Sequence, residues 1–178
     1  FESVSCRSPS FLFPFLLLSL LLISIDTQSF GIFTQRRVGQ YGKQFTILKF
    51  KTIHPHTRQI STLGAFFRKY KIDELPQLFN VLIGQMSIVG PRPDVAGYYD
   101  TLQGEEKLLL QLKPGITSLA ALKYRDEDQL LQQQEDAQSY NDKIIFPDKV
   151  KMNMEYYHHQ GLITDLQIIT KTFLHFLK

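Results

Sequence analysis

The sequence predicts an α/β chain of the α+β type, a helix-rich single domain with a small β-hairpin or sheet and an N-terminal membrane-associated helix. Three observations carry this. Phe11 to Ile25 is an apolar run broken only by Pro14, Ser19 and Ser24. Residues 31–50 alternate short β-like runs with turn residues, and the remainder shows apolar residues at helical spacing. The 178 residues suit one domain with a real core and are too few for two of ordinary size. A charged fraction of 21% and an apolar fraction of 43% describe a globular chain, which excludes disorder and a polytopic membrane protein.

The apolar run comes first. As a helix its 15 residues reach roughly 22 Å at ~1.5 Å per residue, short of the ~30 Å hydrocarbon layer. The expectation is a re-entrant or interfacial helix, with a spanning helix, a signal peptide and a buried core helix as alternatives. A signal peptide is disfavoured because Arg7 is opposed by Glu2 and Ile25-Asp26 offers no small-residue cleavage site. The expected organisation is therefore a hydrophobic segment over 1–25, truncated upstream because no initiating Met is present, and a catalytic domain over 26–178.

Next, Gly31-Ile32-Phe33 and Gln35 to Gly39 precede turn chemistry at Tyr41-Gly42-Lys43 and a β-like run from Phe45 to Phe50, which predicts a hairpin. From Ser61 to Tyr70, Leu63, Phe66, Phe67 and Tyr70 recur at helical spacing, with Ser61 or Thr62 able to cap. A second helix is expected to start near Leu75-Pro76, since proline suits a first turn, and to bury Leu78, Val81 and Leu82. Gly84 stops it, and Met86 to Gly90 reads as an extended segment. A helix begins near Asp126, with Gln132-Gln133-Gln134 on its solvated face. In the last helix, Leu166, Ile169, Phe173 and Leu177 share one face that either packs on the core or lies on a bilayer.

Charge is distributed unevenly. Net charge is +3, yet Arg36, Arg37, Lys43, Lys49, Lys51, Arg58, Arg68, Lys69 and Lys71 follow one another without a single Asp or Glu. Acidic residues crowd between Glu105 and Asp148 instead. The first half is thus expected to meet an anion. Nucleic acid is the least suitable one, because no recognition helix or aromatic stacking platform accompanies the basic stretch. The one cysteine, Cys6, excludes an internal disulfide and a Cys-based zinc site. His54, His56, His158 and His159 lack carboxylates at metal-ligand spacing and read as surface residues.

Chemistry concentrates at Asp73-Glu74-Leu75-Pro76-Gln77-Leu78-Phe79, where two adjacent carboxylates precede a helix and Arg68, Lys69 and Lys71 lie just upstream. A carboxylate can attack phosphorus or hold Mg²⁺, and cations with a helix N-terminus can neutralise phosphate oxygens. Eighteen residues after Asp73, Pro91-Arg92-Pro93 fixes the backbone on both sides of a guanidinium, pre-aiming it at an anion.

These motifs resemble the bacterial sugar transferase family, the monotopic polyprenyl-phosphate phosphoglycosyl transferases. The resemblance rests on Gln35 to Gly39, Lys49-Phe50-Lys51-Thr52, Arg68-Lys69, Asp73 to Leu78, Asn80-Val81-Leu82, Met86 to Pro93 and Lys113-Pro114-Gly115-Ile116-Thr117, in that order. Lys123-Tyr124-Arg125 and the tail from Tyr156 to Thr170 look like the short, single-domain members. The resemblance implies that Asp73 attacks the sugar-proximal phosphate of a UDP-sugar, that UMP leaves, and that undecaprenyl phosphate then takes the phosphosugar to begin a surface glycan. It gives Glu74 a part in binding Mg²⁺. It places Arg68, Arg92, Lys49 and Arg36 on substrate phosphates, with Pro91, Pro93, Pro114, Gly115 and Arg125 in supporting loops. It also implies the cytoplasmic face of the bacterial inner membrane, and the exposed helices leave room for a homodimer. Departures are the absence of the family's basic pair and Asp in Phe1 to Ser10, Phe13-Pro14 in place of Ser-Pro with Ser8-Pro9 as another register, Lys51 for Arg, Ile53 for Met and Ser118 for Gly. Two further readings stand beside this one: a metal-dependent phosphohydrolase using the same dyad, and an inactive, truncated remnant that binds only a membrane or a glycan-assembly partner.

Overall fold

The structure, a computed structural model, describes residues 12–176. The expectations placed on Glu2, Cys6, Arg7, Ser8-Pro9, Phe11 and Leu177 lie outside the described residues. Helices dominate and the β component is two two-stranded sheets, as the α+β class requires. Packing divides the described residues into two compact units, 12–35 with Ile47–Phe79, and Arg36–Thr46 with 80–176.

In the first unit, the apolar run forms α1 (Leu12–Asp26), with Pro14 in its first turns, where a missing N–H costs little. Leu16, Ser19 and Ile23 form a buried stripe at helical spacing, and Leu16 and Ile23 pack with Phe50 and Phe67. The rest of the perimeter exposes Phe13, Phe15, Leu17, Leu18, Leu21, Leu22 and Ile25. Among the described residues no helix is long and apolar enough to cross a membrane. The end of α1 is pinned by hydroxyls: Ser24 Oγ donates to the Leu20 carbonyl at 2.7 Å and accepts from Gly31 N at 2.9 Å.

The hairpin is present as β1 (Ile32–Val38) and β2 (Gln44–Phe50), and Tyr41 and Gly42 in its turn both take positive φ. Its tip belongs to the second unit. The second helix, α2 (Thr62–Lys69), is capped by Ser61, whose Oγ accepts from Gly64 N at 3.0 Å. Phe67 turns inward onto the edge of the Phe50 ring, 5.7 Å between centroids, while Phe66 and Tyr70 remain exposed.

A helix does follow the dyad, α3 (Gln77–Leu82), but its buried face differs from the expected one. Gln77 and Asn80 are buried and Leu82 is 80% exposed, followed by Ile83 at 68%. Polar satisfaction explains the reversal. In the second unit, Asn80 Nδ2 donates 2.8 Å bonds to both the Thr46 carbonyl and Gln85 Oε1, so the amide enters the interior without an unmade bond.

Beyond Gly84, at φ +79°, β3 (Ser87–Val89) pairs in parallel with β4 (Gly115–Thr117), Ser87 opposite Gly115 and Val89 opposite Thr117. Then follow α4 (Leu119–Lys123), α5 (Glu127–Gln132), α6 (Ala137–Tyr140), α7 (Phe146–His159) and α8 (Leu162–Phe176). Ser118, standing where glycine was expected, caps α4 by accepting from Ala121 N at 3.0 Å. Buried Asn153 donates to the Tyr99 hydroxyl at 2.7 Å, and Val38, Tyr99, Leu109 and Val150 form the core around them. Helix α8 buries Ile168 beside Val89 and Tyr156 and joins β4 through the Thr117 and Thr172 hydroxyls at 2.8 Å. Leu166, Ile169 and Phe173, the face for which core packing was one of the two expectations, are exposed.

Candidate active site

Strand β2 alternates its side chains, which places Lys49 on the face opposite Leu48 and Phe50. Its Nζ reaches Glu74 Oε1 at 3.2 Å, with the Lys49 side chain 19% and the Glu74 side chain 8% exposed. From the other direction α2 delivers Arg68 in its last turn, and Arg68 Nε donates to Thr52 Oγ1 at 2.7 Å. The helix then stops because Lys71 adopts a left-handed conformation, φ 55° and ψ 23°. Such a backbone is uncommon for a residue with a Cβ and costs about 1 kcal/mol or more. It turns the chain into the 3-10 turn Ile72–Glu74, in which both carboxylates are buried.

The two acids have different surroundings. Glu74 is answered by Lys49. Asp73 is 9% exposed, and its Oδ1 is buried with no hydrogen-bond partner. Burial, and secondly the charge of Glu74, hold the Asp73 carboxyl above its ordinary value, while Lys49, Lys71 and Arg68 pull it back down. A desolvated carboxylate oxygen with no hydrogen bond is a competent nucleophile, and three cations within electrostatic reach offset the negative charge of an incoming anion.

Among the described residues no group of three or more His, Cys, Asp or Glu could hold a metal alone. The dyad nevertheless fits Mg²⁺, which is commonly held by one or two carboxylates and completed by substrate phosphates. Glu74, next to Asp73 in the same turn, is the donor available for that.

The first unit therefore brings together Asp73, Glu74, Lys49 and Arg68 from the expected set. The other expected residues belong to the second unit. There, Arg36 is exposed on β1, while Arg37 pairs with Asp94 at 3.5 Å. Pro91, Pro93, Pro114 and Gly115 do come together. The Pro91 carbonyl accepts from Gly115 N at 2.8 Å, and the Pro114 carbonyl accepts from Ser87 N at 2.8 Å. Arg92 is half-buried between the two buried prolines. Arg125 Nη1 donates to the His175 carbonyl at 3.4 Å, which ties the loop to α8. His54 and His56 sit in a surface turn, His54 Nδ1 accepting from His56 N at 3.3 Å.

Residues 3–178 match the bacterial sugar transferase family. The chain belongs to that family. It is 31% identical over 165 residues to the galactosyl transferase of Streptococcus agalactiae, covering 80% of this chain and 33% of that one. To the UDP-glucose:undecaprenyl-phosphate glucose-1-phosphate transferase of Caulobacter vibrioides it is 38% identical over 125 residues, 62% of this chain and 47% of that one. A UDP-N-acetylgalactosamine-undecaprenyl-phosphate N-acetylgalactosaminephosphotransferase of Aeromonas hydrophila is 33% identical over 122 residues, 60% of this chain and 29% of that one. The chain thus spans half or less of the length of these three sugar transferases.

Two residues shape this candidate site in ways the sequence does not suggest, where Lys71 reads only as a cation beside the dyad and Thr52 only as part of a motif. Lys71 sets the turn, and Thr52 holds Arg68. The signal for Thr52 was thin: a hydroxyl three residues after Lys49, sixteen before its partner.

Proposed function

We propose that the chain moves a sugar 1-phosphate from a UDP-sugar to undecaprenyl phosphate through a covalent intermediate on Asp73, at the cytoplasmic face of a bacterial inner membrane. The observation that carries this reading is the buried, unpartnered Oδ1 of Asp73 among Lys49, Lys71 and Arg68. Relatives named for undecaprenyl-phosphate and UDP-sugar chemistry support the choice of substrates.

In the first step Asp73 Oδ1 forms a bond to the sugar-bearing phosphorus. The bridging P–O bond breaks, and its electron pair leaves with UMP. In the second step a phosphate oxygen of undecaprenyl phosphate bonds to the same phosphorus, and the Asp73 carboxylate departs. Undecaprenyl diphosphate sugar is the product and the enzyme is restored. Lys49 and Arg68 counter the charge that gathers as an anionic carboxylate meets an anionic diphosphate. Glu74 would hold Mg²⁺, which when bound supplies charge neutralisation on the diphosphate. The exposed apolar perimeter of α1 suits an enzyme whose acceptor is a lipid.

The test is UMP release in nanodiscs with Mg²⁺, undecaprenyl phosphate and a panel of UDP-sugars, comparing the native chain with Asp73→Asn. Release that needs Asp73 and yields a lipid-linked product supports transfer. Free sugar phosphate with no lipid product indicates a hydrolase, and silence with every donor removes the reading.

A further inference from the structure

Thr52 lies just past β2 and is 6% exposed, yet its polar groups make contacts that span α2 from end to end. At the start of the helix, the Thr52 carbonyl accepts from Ser61 N at 3.0 Å and from Ser61 Oγ at 3.4 Å. Gly64, in the first turn, lies so close that an added Cβ would fall on that same carbonyl. At the end of the helix, Thr52 Oγ1 accepts from Arg68 Nε at 2.7 Å.

A guanidinium has five N–H donors in a rigid plane. Fixing Nε with a short bond to a buried acceptor sets the plane's orientation and leaves the two terminal nitrogens for another partner. Among the described residues neither terminal nitrogen of Arg68 has a hydrogen-bond partner. Lys49, three residues before Thr52 on the same strand run, is bonded to Glu74, so the residue that aims Arg68 is continuous with the residue that holds the dyad.

We propose that Thr52 is a positioning residue that aims the Arg68 guanidinium, through Nε, so that its terminal nitrogens form a two-pronged seat for a diphosphate oxygen pair. The proposal rests on the transferase reading only for the identity of the anion; the seat itself is a property of Thr52 and Arg68. The methyl of Thr52 is not needed for it, whereas the hydroxyl acceptor is.

The experiment measures UDP binding with Mg²⁺ by calorimetry on the detergent-solubilised full chain, for Thr52→Val, Thr52→Ser, Arg68→Lys and the Thr52→Val/Arg68→Lys pair. Loss of one charge-assisted contact predicts Thr52→Val to bind about tenfold more weakly. Thr52→Ser should stay within about threefold of the native chain, since it keeps the acceptor. Lysine has no Nε, so Thr52→Val should add nothing further in the Arg68→Lys background, and the two losses should fail to sum. Additive losses, equal effects of serine and valine, or no UDP binding by the native chain would each overturn the proposal. Should Thr52→Val not fold, Arg68 Nε–H exchange in the native chain decides the matter: slow exchange that slows further with UDP supports the seat, and exchange as fast as in free arginine refutes it. UDP binding with this Thr52 dependence but no UMP release keeps the seat and discards the transferase reading.

Discussion

Lys49 Nζ stands 3.2 Å from Glu74 Oε1, and this single bond divides two adjacent buried carboxylates into one that is charge-paired and one that is not. Two neighbouring acids can take different roles when their environments separate them, and here the separation comes from a strand residue 25 positions earlier. Replacing Lys49 with Met is expected to leave Glu74 buried without its cation. Breaking a buried pair from one side costs about 3 kcal/mol. Asp73 also loses one of the charges that lower its pKa, so the acid limb of the rate profile should move to higher pH. Urea unfolding and a pH–rate profile of UMP release check both halves.

Asp73→Asn should abolish turnover and raise the melting temperature. Folding holds the Asp73 carboxyl above its ordinary value, chiefly through burial. The folded state therefore binds a proton more readily than the unfolded one. Stability associated with this group is present below the unfolded value and is lost as pH rises through the folded value. The asparagine variant carries no such loss, so its advantage in melting temperature should grow from acid toward neutral pH. Activity should fall at least ~10³-fold. Thermal scans at several pH values, with UMP release at pH 7, test the pair of effects.

Local chemistry made much of this legible in the sequence. The hairpin, the Ser61 cap and the dyad ahead of a short helix each depend on residues within a few positions of one another, where turn and capping rules apply. What escaped was which side of a periodic face packs. In α3 apolar periodicity pointed to Leu82, but the interior took Asn80 because its amide had two partners waiting. In α8 the face of Leu166, Ile169 and Phe173 was recognised as a face, yet Ile168 and Thr172 are the residues that meet the rest of the second unit. Thr52 escaped for a different reason: its partner is sixteen residues away and no periodicity links them.

Gly115→Ala is expected to be costly. A Cβ there would fall on the Gly90 backbone, at the point where Gly115 N bonds to the Pro91 carbonyl. Overpacking of this kind costs about 1–3 kcal/mol, and here it meets backbone that cannot swing aside. The displacement would also reach Pro91, whose carbonyl accepts from Gly115 N, and urea unfolding reads the loss. Gly161→Ala, with open space around it, should change unfolding by less than about 0.5 kcal/mol.

Asp26 presents a conflict that mutation can separate. At the end of α1 its negative charge sits at the unfavourable pole of the helix dipole. Its Oδ2 nevertheless accepts from Leu63 N at 3.2 Å, in the first turn of α2, where negative charge is favoured. Asp26→Ala removes the acceptor and should cost about 1 kcal/mol. Asp26→Asn keeps an oxygen acceptor and relieves the dipole conflict, so it should unfold within about 0.5 kcal/mol of the native chain. Because α2 carries Arg68 at its far end, loosening its first turn should weaken UDP binding in the alanine variant more than in the asparagine one. Equal binding and equal stability in the two variants would show that the bond to Leu63 N does not hold the helix in place.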